Sequence, residues 1–191
     1  MPGASAVKIR GHIESWPAGF ADALPGADWL AVLAPPRQDK YLISALRRRD
    51  IPGVCLYERR TRTYKNKGTQ EFLVPLIGSW AFIHGHHHWH SLWETERVIR
   101  ILPVRQESVF VRELADLIAL LRSFDGPPIV NPGMVPGTRV KVTVGTMAGL
   151  CGIVVRRRDH ARLVVNLSML GTSVSVELPA EAVADLEPMP V

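Results

Sequence analysis

At 191 residues with 47% apolar side chains, the chain has material for one medium domain or two small ones with packed cores, which excludes a disordered or fibrous polypeptide. Two cysteines, Cys55 and Cys151, suggest by neither number nor spacing a disulfide framework or a zinc knuckle, and no stretch approaches the ~20 apolar residues of a membrane span, so a soluble cytoplasmic protein without a membrane partner is expected. The formal net charge is +5, and the excess lies in residues 28–124, with fifteen cations against ten anions, whereas residues 125–191 balance at six against six. Arg47, Arg48, Arg49, Arg59, Arg60, Arg62, Lys65 and Lys67 face only Asp50 and Glu58 in sequence, a run that suits either a polyanion such as nucleic acid or an ordinary solvated face.

Residues 1–27 are rich in alanine, glycine and proline and read as a flexible leader without a signal peptide's apolar core. Trp29 to Leu33 reads as a buried strand, followed by a helix from about Arg37 to Arg49 in which Leu42, Ala45 and Leu46 follow 3.6-residue spacing. Pro52-Gly53 ends it. Val54 to Glu58 reads as a strand, Thr61 to Phe72 as a polar hairpin or loop turning at Asn66-Lys67-Gly68, Leu76 to Ile83 as a strand, and Val98 to Leu102 as another. Ser108 is placed to cap a helix whose Leu114, Leu117, Ile118 and Leu121 share one stripe. The order predicts an α+β domain over residues 28–124, an antiparallel sheet with helices on it.

Residues 125–136 then read as a linker, because prolines and glycines crowd the stretch from Gly126 to Gly137. Beyond it the period changes to two. Val140, Val142 and Val144, then Leu163, Val165 and Leu167, then Val174, Val176 and Leu178 alternate with polar or smaller neighbours. Glycines punctuate these runs, so residues 137–188 are expected to form a compact all-β barrel around one small core.

The stretch FIHGHHHWH puts five of the seven histidines, His84, His86, His87, His88 and His90, into seven positions. Imidazole is a common ligand for zinc, copper and nickel, and a helix or a strand would align several of these rings. A catalytic metal also needs acceptors that orient the rings, for which the nearest carboxylates in sequence are Glu71, Glu94 and Glu96; against a metalloprotein stand the missing HExxH spacing and the distant cysteines. A histidine-rich polar loop without a metal or other cofactor is the expectation. No nucleophile–base pair, phosphate-cradling glycine loop or paired carboxylate motif appears elsewhere, so an enzyme is not expected.

Three ordered motifs resemble a known family. VKVTVGTMAGLCGIVV, residues 140–155, is similar to a KOW motif; WLAVLAPPRQDK, residues 29–40, is similar to the first strand and helix start of NusG N-terminal domains; and PLIGSWAFI, residues 75–83, is similar to their PLFPGYLFV signature. The resemblance covers residues 28–188 and implies a NusG-type N-terminal domain followed by an SH3-like KOW barrel, closer to the specialised paralogues serving particular operons than to the housekeeping factor. It implies a transcription elongation or antitermination factor that binds the bacterial RNA polymerase clamp through Leu33, Ile77, Trp80 and Phe82. It further implies contact with non-template DNA through Arg37, Gln38 and Lys40. In the barrel, Met147, Leu150 and Leu170 fall at positions that engage a small-subunit ribosomal protein or the Rho terminator. The sequence departs from the family at Gly78-Ser79 and Glu96-Arg97, where the family has proline-glycine pairs. The competing reading is a KOW-containing ribosomal or ribosome-assembly protein, which predicts a basic barrel that the six-against-six balance does not supply.

Overall fold

The structure, a computed structural model, describes residues 10–64, 68–145, 147–157, 160–178, 182 and 186–189. They form a mixed α+β fold with two antiparallel sheets and few helices. The first sheet contains β1 (Arg10–Trp16), β2 (Trp29–Leu33), β3 (Gly53–Tyr64), β4 (Gly68–His84) and β5 (Arg100–Pro103), in the order β1-β3-β4-β2-β5. Helix α1 (Asp39–Arg47) and the single-turn α2 (Trp89–Trp93) lie on one face, and α3 (Glu107–Ser123) lies on the other. Alternation within β2 explains the layering: Leu30 and Val32 pack with Leu42 and Leu46 of α1, while Trp29 and Ala31 pack with Phe110, Leu114 and Leu117 of α3.

The second sheet contains β6 (Ile129–Pro132), β7 (Arg139–Val142), β8 (Cys151–Arg157), β9 (His160–Leu167), β10 (Thr172–Leu178) and β11 (Leu186–Pro188), in the order β11-β7-β8-β9-β10-β6. Val142, Leu163, Val165, Leu167, Val174 and Val176 face inward, as their period-two spacing requires. This interior is continuous with the core beneath α3.

Several boundaries differ from the sequence expectation. Residues 10–16 of the expected leader are the edge strand β1, paired from Arg10↔Arg59 to Trp16↔Gly53. Its odd positions face α3, where Gly11 lets Leu121 come so close that a β-carbon on residue 11 would stand 2.6 Å from Leu121 Cδ2. Within the expected linker, β6 pairs with β10 from Ile129↔Ser175 to Pro132↔Thr172, and Asn166 holds the backbone of Val135 through bonds of 3.0 and 2.9 Å. The expected hairpin at residues 61–72, by contrast, is present among the described residues: Thr61↔Glu71 to Tyr64↔Gly68 continue β3 and β4 as a two-stranded ribbon beyond the neighbouring strands. Lys65, Asn66 and Lys67, part of the expected basic run and of its turn, lie outside the described residues.

Helix α3 begins after Gln106, so Ser108 lies inside its first turn and is not its cap. Glu107 instead reaches back to β2, its Oε1 accepting the backbone N–H groups of Asp28 at 2.6 Å and Trp29 at 3.0 Å. Among the described residues no helix is long and apolar enough to cross a membrane.

Candidate functional site

Antiparallel register places Trp80 of β4, Leu33 of β2 and Arg100 of β5 in one row across three strands. Alternation puts the row on the α3 side of the sheet, because Phe82 and Ala31, two positions further along, pack beneath Phe110. The ring centroids of Phe82 and Phe110 are 5.3 Å apart. Helix α3 covers that second row, and the first stays half open: Leu33 and Trp80 are partly exposed and Arg100 is exposed.

Of the four apolar positions expected to form one patch, then, two reach the surface. Phe82 is 1% exposed and Ile77 is 8% exposed, so both belong to the core and cannot present an apolar surface. For Phe82 the reason is register, since β4 supplies both the covered row and the open one; Ile77 lies in the irregular stretch between Pro75 and Ala81, where β4 leaves its pairing with β3.

The start of α1 lies at the same end of the sheet, where Ala34 N–H donates to Ser79 O at 3.0 Å. Arg37 there adopts a left-handed backbone with φ of 64°, and Lys40 is exposed. Tyr41, 63% exposed, carries the Arg97 guanidinium 5.6 Å from its ring centroid, and Arg97 also donates to Gln38 Oε1 at 2.7 Å. Sequence reasoning missed Tyr41 and Arg97. Helical spacing could have flagged Tyr41, since Leu42, Ala45 and Leu46 face the sheet and leave Tyr41 outward; Arg97 arrives from 59 residues away and had no local signal. Asp39, in the same turn, is buried and accepts the Tyr57 hydroxyl at 2.8 Å. Burial pushes the Tyr57 phenol well above its ordinary range.

The basic run is less of a field than its sequence implies. Arg47 pairs with Glu14 at 2.9 Å, Arg59 with Glu71 at 3.2 Å and Arg60 with Glu58 at 2.8 Å. Glu14 belongs to β1, so the segment read as a leader supplies a counter-charge.

The histidines lie at the opposite end of the sheet. They form no loop: His86–His88 make a 3-10 turn leading into α2, with Leu92 fully buried and Trp89 half buried beneath the sheet face, while Trp93 stays exposed. The His86 backbone N–H donates to Asp28 Oδ1 at 2.9 Å and its Nδ1 pairs with the same oxygen. That backbone bond, above all, holds the Asp28 carboxyl below its ordinary range. His84 packs edge-on against Trp29, with centroids 6.0 Å apart, and burial lowers His88. Among the described residues no three His, Cys, Asp or Glu side chains converge where they could hold a metal ion.

Met147 is 2% exposed and Leu150 is 3% exposed, so both fill the interior of the second sheet and do not form a contact surface. The turn through Gly145 and Gly149 folds them inward, with Gly149 N–H donating to Val142 O at 2.7 Å. Leu170 remains half exposed in a 3-10 turn, Ser168–Leu170.

That turn lies against α3. Glu113 Oε2 accepts the Ser168 backbone N–H at 2.7 Å and its other oxygen accepts the Ser168 hydroxyl, while Asp116 pairs with Arg139 of β7. Beside them is a cleft of about 390 Å³ walled by Leu102, Val104, Val109, Phe110 and Met169, among others. Burial raises both carboxyls above their ordinary range even though Ser168 and Arg139 pull the other way.

No protein-family model matches this chain, and no curated protein matches it.

Proposed function

We propose that the chain is a NusG-like transcription elongation or antitermination factor. Its first sheet binds bacterial RNA polymerase, and its second sheet, in this reading an SH3-like KOW barrel, recruits a further partner such as a small-subunit ribosomal protein or the Rho terminator. The observation that carries the reading is the row Trp80, Leu33 and Arg100, an indole and a leucine left partly uncovered on a rigid sheet and flanked by a cation. An aromatic-aliphatic anchor of this kind suits a partner helix. The ordered resemblances at residues 29–40, 75–83 and 140–155 supply the identity of that partner.

Arg37, Gln38 and Lys40, joined by Tyr41 and Arg97, form the surface for displaced non-template DNA. Guanidinium and ammonium groups meet phosphates, and an exposed tyrosine offers a stacking face. The protein acts by holding its partners and is not an enzyme.

The test is a pull-down of RNA polymerase by the untagged full chain. Trp80→Ala removes the open row and is expected to reduce recovery at least ~10-fold, in the range of an interface hot spot. Phe82→Leu perturbs the covered row and is expected to retain binding. Equal recovery with Trp80→Ala and the parent would overturn the reading.

A further inference from the structure

Strand β1 ends the first sheet, and among the described residues no strand pairs with its outer side. Helix α3 and the 3-10 turn Phe20–Asp22 pack on one face of that sheet and not beyond its edge. A cleft of about 680 Å³ runs along the edge. His12 and Ile13 point to opposite faces, yet both line it, as only space beside the strand allows. Arg59 and Glu71 of the ribbon and Asp125, just after α3, flank the same slot. A strand edge left open in this way is a template for another strand.

We propose that β1 pairs antiparallel with β1 of a second copy of this chain, joining the two first sheets into one across a two-fold axis at Ile13. The charges and sizes along the strand fit this register. His12 meets the partner's Glu14 on each side of the axis, an imidazole N–H against a carboxylate. Arg47 holds Glu14 Oε1 at 2.9 Å within the chain, which fixes the carboxylate and leaves its other oxygen to accept that N–H. On the α3 side Gly11 meets the partner's Ser15, so apart from Ile13 only small side chains cross the seam there.

Other registers fit less well. Directly opposed residues share a face, so an axis perpendicular to the sheet must pass through a residue. An axis through Glu14 sets the two carboxylates against each other, and one through His12 leaves Ser15 and Trp16 without described partners; the axis at Ile13 pairs all seven residues of the strand. Pairing at β1 also leaves the row of Trp80, Leu33 and Arg100 free, because β3 stands between β1 and the strands that carry it. The dimer presents that row twice, and it stands whether or not the row meets polymerase.

Sedimentation of the untagged full chain should show a concentration-dependent equilibrium between monomer and dimer. His12→Glu sets like charges against each other on both sides of the axis and should raise the dimer dissociation constant at least ~10-fold, with the far-ultraviolet circular dichroism of the parent retained. H12E/E14H puts opposite charges back in exchanged places and should restore the dimer to within ~3-fold of the parent. Cross-linking reads the register on a Cys151→Ser background, where Cys55 is buried. Mixed H12C and E14C chains should, on mild oxidation, give the mixed disulfide in large excess over either symmetric one, since opposed residues stand ~4.5–5.5 Å apart and diagonal ones ~7–8 Å, beyond a disulfide's reach. A parent that stays monomeric at every concentration, a dimer that H12E leaves intact, or mixed and symmetric disulfides in equal yield would overturn the inference. The first of these outcomes leaves the edge to an extended segment of another protein.

Discussion

Replacing Gly11 by alanine tests the seating of α3 on β1, the contact that makes residues 10–16 part of the fold. A β-carbon at this position would stand 2.6 Å from Leu121 Cδ2, 2.7 Å from Leu121 Cβ and 3.1 Å from Leu121 Cα. Carbon atoms pack at ~3.5–4.0 Å, so the new methyl overlaps Leu121 by about 1 Å. Rotation of the leucine relieves only the first contact, because Cβ and Cα move with the helix. Overpacking of this kind costs about 3 kcal/mol, and removing the extra chain freedom of glycine returns about 0.5–1 kcal/mol. The net loss of about 2 kcal/mol corresponds to a fall in Tm of roughly 4–8 °C for a chain of this size. Gly26→Ala is the matched control: nothing lies within 4 Å of its β-carbon, and it should change stability by less than ~0.5 kcal/mol. Thermal and urea melts followed by circular dichroism read both. If G11A melts with the parent, β1 is not clamped between β3 and α3 and the argument fails.

Ser173, fully buried in β10, has a hydroxyl with no hydrogen-bond partner among the described residues, and an unmet buried hydroxyl costs about 1–3 kcal/mol. Ser173→Ala should therefore stabilise the chain by about 1 kcal/mol; a lower urea midpoint would contradict that. Tyr57→Phe strips the buried Asp39 carboxyl of its 2.8 Å bond and should destabilise by about 1–3 kcal/mol, with no loss in Tyr57→Phe/Asp39→Ala beyond that of Asp39→Ala alone. Glu113 and Asp116 titrate above their ordinary 4.5 and 3.8, so the folded state binds their protons more tightly than the unfolded chain. Their contribution is fully present below those ordinary values and is lost as pH rises through the raised ones. E113Q/D116N should flatten that part of the stability profile, and identical profiles for variant and parent would refute it.

What the sequence determined by itself was local. The apolar runs at residues 54–57 and 81–83, buried on both faces of a sheet with helices on either side, the stripe of Leu114, Leu117, Ile118 and Leu121, and the period-two runs after residue 137 each mark their own element, because the faces they present must be buried. The strand β1 was illegible for the converse reason. Its Gly11, Ile13 and Ser15 make a weak apolar face, and only pairing with β3 and the approach of Leu121 make it a strand. Prolines likewise hid β6, whose ladder is supplied by β10.

Tertiary structure alone decided which faces remain open. Phe82 and Trp80 lie two residues apart on one side of β4, yet α3 covers the first and leaves the second partly uncovered. Met147 and Leu150 turn inward because the glycine turn folds over the second sheet. Arg97 reaches Tyr41, and Glu14 reaches Arg47, across long stretches of chain. Periodicity states that a face must be covered, but the covering segment comes from elsewhere in the chain, and its placement depends on distances that no local window contains.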